Sequence, residues 1–233
     1  MTMKLAVHQP NYLPWPGYFR KMAQCDIFVI LDTVQFPRGC SVANRNLIKT
    51  PNGPQILTVP VKRKGLSLQR YDDILVVPGW KKKHLKALEL NYGKAPYFEE
   101  IFPQLGQVLQ DSGYLLDINY GFIKLVYDWM KLETKLVFLS SLPQFADLWK
   151  NERIVALCHH FSAKAYLSGS GGKAYNDPQI FEKHGLSLEY LSYQPIPYPQ
   201  LWGSFIPNLS IVDMLFNCGT DQARNLLFKG GQI

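Results

Sequence analysis

Residues 27–31 read I-F-V-I-L, apolar at every position rather than at every second one. A strand with one face in water alternates. A continuous β-branched and aromatic run belongs to a strand covered on both faces, as in a parallel sheet between helices. Residues 4–7 form a second short apolar run, and 17–24 between them carry Phe19, Met22 and Ala23 at helical spacing. Together they predict a βαβ unit with a right-handed crossover. The alternation returns late in the chain, with strands at 135–139, 165–167 and 188–190 separated by helices at 148–161 and 178–184. Between these ends the pattern predicts strands at 55–61 and 74–77 and helices at 81–91, 97–110 and 115–130. A last helix starts at Ser210 as N-cap, with Asp213 as a capping-box acid, and ends at Gly219. The expected fold is a single α/β domain over 1–233 with a mainly parallel sheet, Rossmann-like or nucleotidylyltransferase-like. Residues 81–130 are a helical insert or peripheral helical region.

The 233 residues, 47% apolar and 18% charged, are long and apolar enough for a large core and too apolar for disorder. No apolar run approaches the roughly 20 residues of a membrane helix. The first residues, with Lys4 alone before a short apolar stretch, do not read as a signal peptide, so a cytoplasmic protein with no membrane insertion is expected. Cys25, Cys40, Cys158 and Cys218 are scattered, with no C-x-x-C pair, which indicates neither a zinc site nor a disulfide framework, and no metal site is expected. They read as small buried hydrophobes, with nucleophilic use of Cys40 or Cys158 a minor alternative. The net charge of +7 includes Lys62-Arg63-Lys64 and Lys81-Lys82-Lys83. A solvated surface is its first reading and a small anionic or phosphate-bearing substrate the sharper one. Nucleic acid ranks third, because no dense basic stripe or recognition motif accompanies the charge.

In an open parallel sheet, ligands bind at the carboxyl ends of the strands. His8 and Gln9 follow the first strand and Asp32 the second. If those strands are neighbours, His8 is a general base and Asp32 orients it. Gly17 falls near the start of the first helix, where free N–H groups favour an anion, and Asn11, Tyr12, Trp15 and Tyr18 shape a wall. The layout resembles nucleotidylyltransferases and pantothenate synthetase, whose loop carries H-x-G-H; here residues 15–18 read W-P-G-Y and both histidines are missing. A polar stretch at 35–50 supplies Gln35, Asn44, Arg45 and Lys49. Arg45 and Lys49, four apart, share a face of a helical turn and clamp an anion, or else the stretch is a solvated hairpin. The stretch Y-L-S-G-S-G-G-K-A-Y at 166–175 offers Ser168, Ser170, Gly171, Gly172, Lys173 and Tyr175 to a phosphate, or is an ordinary tight turn. Its spacing is not that of a P-loop, and it echoes the S-G-G-K loop of pyrophosphate-releasing ATP enzymes. At 194–213, Tyr198, Gln200 and Trp202 can stack on a sugar or base, or the segment is simply pinned across the surface. His159 and His160 are adjacent on a helix and do not form an i, i+4 metal pair.

The chain also resembles the WbqC-like proteins. The resemblance is carried by H-Q-P-N-Y-L-P-W-P-G-Y-F (8–19), D-T-V-Q-F (32–36), N-R-N-L-I-K-T (44–50), L-T-V-P-V (57–61), W-K-K-K-H (80–84), N-Y-G-K-A-P-Y-F (91–98), the 166–175 stretch and Y-P-Q-L-W-G-S-F-I-P-N-L-S-I-V-D (198–213). It implies a bacterial protein linked to polysaccharide and O-antigen assembly, and it brings no established catalytic residues. The expected function is transfer of an acyl or aminoacyl group to the amine of a nucleotide-linked amino sugar. The donor is either a carboxylate activated by ATP with magnesium or an acyl thioester. The alternative is a non-catalytic nucleotide-sugar binding or scaffold protein, and a homodimer is the assembly entertained.

Overall fold

The computed structural model describes residues 2–37, 41–62, 69–109 and 113–228. The strands are β1 (Lys4–His8), β2 (Ile27–Ile30), β3 (Arg45–Thr50), β4 (Gly53–Thr58), β5 (Lys135–Phe138), β6 (Ala165–Ser168) and β7 (Ser187–Tyr190). The α-helices are α1 (Pro16–Ala23), α2 (Trp80–Tyr92), α3 (Phe98–Val108), α4 (Leu115–Trp129), α5 (Lys150–His160), α6 (Pro178–Lys183) and α7 (Ile211–Phe228). Contacts group the chain into two compact units.

The first unit comprises Met1–Gln9, Arg20–Val34 and Leu132–Gln194. It holds a five-stranded sheet in the order β5-β2-β1-β6-β7, with every neighbouring pair parallel. The apolar run at 27–31 becomes β2, buried at all of its positions in mid-sheet. Leu5, Val7, Ile27, Val29 and Tyr166 on the strands pack with Ile154, Leu157 and Cys158 of α5 and Phe181 of α6. Each such aliphatic or aromatic side chain stabilises by about 1.5–3 kcal/mol on burial. The chain winds one way from β1 through β2 to β5, and the other way from β6 to β7. This is the doubly wound, Rossmann-like arrangement, and its order reverses between β1 and β6.

The second unit comprises Pro10–Phe19, Gln35–Lys131 and Pro195–Ile233. Its antiparallel hairpin β3–β4 closes at Thr50↔Gly53, where Gly53 takes φ +98. Helices α2, α3 and α4 fill the middle of the sequence, as its periodicity predicts. Their packing includes a polar knot. The Asn119 amide nitrogen, with two protons to share, lies 2.8 Å from the Pro10 carbonyl, 2.7 Å from the Ala43 carbonyl and 2.7 Å from the Tyr71 hydroxyl.

Four expectations are corrected here. Arg45 and Lys49 lie on a strand, not a helical turn; β-branched Ile48 and Thr50 favour the extended chain. They still share a face, because strand side chains alternate, but about 13 Å apart. Residues 74–77 form no strand and make only isolated bridges, Val61↔Val76 and Leu75↔Tyr114. Gly219 kinks α7 instead of ending it, with φ 71 and ψ 174. Asp213 is no capping-box acid: its two carboxylate oxygens accept the Tyr92 and Tyr198 hydroxyls, each at 2.8 Å. Ser210 does cap α7, accepting the Val212 N–H at 3.3 Å.

Candidate functional site

The ladder between β1 and β6 runs Lys4↔Ala165 and Leu5↔Tyr166 and stops, while β1 continues to His8 and β6 to Ser168. The two carboxyl ends therefore part at the point where the sheet order reverses, the place where such folds bind ligands. A cavity of about 380 Å³ opens there, walled entirely by the first unit. The end of β1 contributes Val7, His8 and Gln9, and the segment after β6 contributes Ser168, Gly169, Gly171, Gly172 and Tyr175. Helix α5 adds Ile154 and Leu157 as apolar wall and Lys150 and Arg153 as cations. Lys21 of α1 is a third cation, and among the described residues no carboxylate lines the cavity.

His8 places Nδ1 3.0 Å from the Gln9 carbonyl oxygen. A carbonyl only accepts, so Nδ1 carries the proton and the lone pair resides on Nε2. Burial, and then the Lys21 ammonium, push the imidazole pKa down to about 3, against the Gln9 hydrogen bond, which favours the charged form. His8 is neutral at pH 7. Lys21 is 3% exposed. Its Nζ donates to the Val7 carbonyl at 2.8 Å, and burial lowers its pKa to about 8. The Arg153 guanidinium donates to the carbonyls of Phe145 (3.2 Å) and Ala146 (2.9 Å), and burial lowers its pKa too.

The strands behind His8 and Asp32 are neighbours, as their proposed pairing requires: His8 registers with Ile30, and the Leu31 N–H donates to the His8 carbonyl at 2.8 Å. Asp32 is buried, and its Oδ1 accepts the Ser140 N–H at 3.0 Å, fixing the turn after β5. The charged side chain that perturbs His8 is Lys21.

After β6, Ser170–Ala174 form a 3₁₀ turn. Ser168 accepts the Asn176 amide at 2.9 Å. A Cβ on Gly172 would lie 2.0 Å from Ser168 Oγ, so this glycine is required by close approach. Ser170 and Lys173 are exposed and do not line the cavity; the Lys173 ammonium lies 5.4 Å from the centre of the Tyr190 ring.

The remaining candidates belong to the second unit. Lys49 is 1% exposed and its ammonium is fully occupied, by Gln200 Oε1 (3.0 Å) and the carbonyls of Ser204 (2.6 Å) and Gly203 (3.4 Å). The Trp202 indole donates to the Asn91 carbonyl at 2.8 Å. These contacts pin residues 198–213 in place. Asn44 donates to the Val59 carbonyl (2.9 Å), Gln35 bridges Arg70, and Tyr18 and Asn11 are buried. Arg45 stands half-buried at the start of β3. At Gly17 a Cβ would lie 2.2 Å from the Trp15 indole, so close approach of that ring accounts for this glycine. Burial pushes the Cys158 thiol up to about 12, which removes it as a nucleophile, and Cys40 lies outside the described residues, as do Arg63 and Lys64.

Of the residues singled out from sequence, His8, Gln9, Ser168, Gly171, Gly172 and Tyr175 line the cavity; its cations Lys21, Lys150 and Arg153 are not among them. The available signal was positional. Lys21 sits three residues after buried Tyr18 on a helix whose neighbours Phe19 and Met22 are also buried. Arg153 sits four before buried Leu157 on α5.

The profile of the WbqC-like protein family matches residues 9–225. Uncharacterized protein Rv1507c of Mycobacterium tuberculosis is 36% identical over 222 residues, covering 94% of this chain and 95% of its own length. No solved structure matches. No helix among the described residues is long and apolar enough to cross a membrane.

Proposed function

The chain belongs to the WbqC-like protein family, and from that premise we propose that it is an enzyme of bacterial surface-polysaccharide assembly. It transfers an acyl or aminoacyl group to the amine of a nucleotide-linked amino sugar. The observation that carries the reading is the crevice between β1 and β6, lined by a neutral histidine and by Lys21, Lys150 and Arg153, with no carboxylate among its described residues. Such a lining attracts an anion and leaves an unprotonated base next to it.

In the transfer, the sugar amine attacks the acyl carbonyl carbon and a C–N bond forms. The bond from that carbon to a phosphate oxygen or a thiol sulfur breaks, and the leaving atom keeps the electron pair. His8 Nε2 takes the proton released by the attacking nitrogen. At a pKa of about 3 the free imidazole is a weak base. A bound anion offsets the Lys21 charge, the second cause of the shift after burial, and so raises the imidazole in part. The activated acyl group would come from a thioester, or from a carboxylate whose oxygen has displaced ADP or diphosphate from ATP with magnesium.

The rival reading is a non-catalytic nucleotide-sugar binder, favoured by that same weakness of His8 in the free protein. His8→Ala separates the two. Turnover of amine-bearing nucleotide-sugars, followed by mass spectrometry of the acylated product, should be lost in a variant that unfolds at the wild-type temperature. A variant that acylates at the wild-type rate sinks the catalytic role. Unaltered ligand affinity with no turnover in either protein moves the assignment to the binder.

A further inference from the structure

Lys21 is almost wholly buried, yet among the described residues its ammonium makes one hydrogen bond, to the Val7 carbonyl at 2.8 Å. An ammonium carries three donors. None of the ion pairs among the described residues includes it. The group whose charge would favour its protonated form is the Cys25 thiol, which burial keeps protonated. A buried cation with no counter-ion works against the fold, and this one borders the crevice.

Two glycines of the same wall point to what fills the space. A Cβ on Gly169 or Gly171 meets nothing within 4 Å, and neither residue takes a left-handed φ. Packing and backbone conformation therefore leave glycine unexplained at both positions, whereas Gly172 is fixed by Ser168. Bare backbone here widens the crevice. The rest of the wall includes Val7, Leu31, Ile154 and Leu157. Most of the surface turned to the crevice is apolar, with the polar atoms of His8, Gln9, Ser168, Tyr175 and the cations set into it; that suits an apolar body with one charged end better than a sugar, each of whose hydroxyls needs its own partner.

We infer that Lys21 is the counter-ion for a single carboxylate or phosphate carried on an apolar body, so that the crevice takes the acyl end of the donor and not the sugar nucleotide. The inference rests on the proposed function in taking this crevice as the substrate site. It also chooses between the two donors: a carboxylate awaiting activation by ATP, or its acyl phosphate, bears its charge at the acyl end, whereas a thioester is neutral there.

The test is thermal unfolding of the full chain with sodium acetate, butyrate, hexanoate or phosphate at constant ionic strength, for wild type, Lys21→Met and Gly171→Leu. The wild-type midpoint should climb from acetate to hexanoate by ligand linkage. Both variants should bind hexanoate at least roughly tenfold more weakly, Lys21→Met by losing the ion pair and Gly171→Leu by occupying the space of the apolar body. Without ligand, Lys21→Met should unfold about 2–4 °C above wild type, because it removes an unpaired buried charge. Gly171→Leu, which fills open space, keeps the test valid if the lysine variant misfolds. A wild type that answers phosphate as strongly as hexanoate, or answers neither, overturns the inference. So does a Lys21→Met protein that is less stable yet keeps the hexanoate shift. Sugar acylation that depends on His8 but is untouched by Lys21→Met removes the part given to Lys21 and leaves the transferase standing.

Discussion

Gly171 and Gly172 are adjacent and answer to different forces. At Gly172 an added methyl meets Ser168 Oγ at 2.0 Å and Asn176 Nδ2 at 2.8 Å, so it breaks the hydrogen bond that staples the turn after β6. Gly172→Ala should cost about 1–3 kcal/mol in urea denaturation, and Gly171→Ala less than about 0.5 kcal/mol. Equal effects would show that the turn is not held as described. The two buried lysines contrast in the same way. Lys49 is satisfied by Gln200 and two carbonyls, and the nearby Asp213 charge favours its charged form although burial lowers its pKa. Lys49→Met should therefore lose about 3–5 kcal/mol, because it orphans a buried polar network, while Lys21→Met gains stability. A glycine or histidine at a strand end can be read from sequence, because strand ends are where such folds place ligands. A lysine's sequence signature is that of a surface residue. Only tertiary packing buries Lys21 and Lys49, which is why one was missed and the other was assigned to a ligand instead of to residues 200–204.

At the scale of elements, the legible parts were those with one strong period. The unbroken apolar run of β2 and the repeated helix–strand alternation sufficed for a parallel sheet. That β1 lies beside β2 is a condition the sequence poses without deciding, and the pairing His8↔Ile30 meets it. The order reversal between β1 and β6 is not written in any one segment; it arises from which strands pair across the whole chain. Residues 74–77 misled because a short apolar run does not say whether a partner edge exists. Among the described residues the chain beside them offers single bridges, Val61↔Val76 and Leu75↔Tyr114. Glycine commonly closes a helix, so from sequence Gly219 reads as a stop. In place it turns the helix at φ 71 and gives room to the Tyr97 ring, 2.6 Å from where its Cβ would lie. Gly219→Ala should then cost at least about 2 kcal/mol, from backbone strain and the displaced ring together. Unfolding by urea with intrinsic fluorescence measures it, and a near-neutral result would contradict the kink.

Across the whole molecule, titration of buried groups gives stability a defined dependence on pH. His84 hydrogen-bonds Tyr12 at 2.7 Å, and burial lowers its pKa from 6.5 to about 4, against its hydrogen bond to Thr58. His8 is lowered further, to about 3. Below 6.5 the unfolded chain takes up protons at both histidines while the native chain does not. The unfolded state then binds more protons, so stability rises with pH across this window and is lost as pH falls. Each histidine contributes about 1.4 kcal/mol per pH unit and nothing further above its unfolded value. Asp213 works in the opposite sense: burial raises its pKa above 3.8, so its contribution is present in acid and lost as pH rises through the native value. Lys21 acts on the alkaline side. Between about 8 and 10.5 the native chain sheds a proton that the unfolded chain retains, and stability rises again. A single variant isolates one group from this sum. His84→Gln keeps a side chain able to meet both Tyr12 and Thr58 and cannot titrate. The difference in unfolding free energy between wild type and His84→Gln should be constant from pH 7 to 8, where His84 is neutral in both states. It should then fall by about 1.4 kcal/mol per unit from pH 6 down to 4, where only the wild-type unfolded state gains the extra proton. A difference that stays level through pH 4 would mean that His84 takes up its proton in the native fold, and that the Tyr12–His84 contact does not hold the ring neutral.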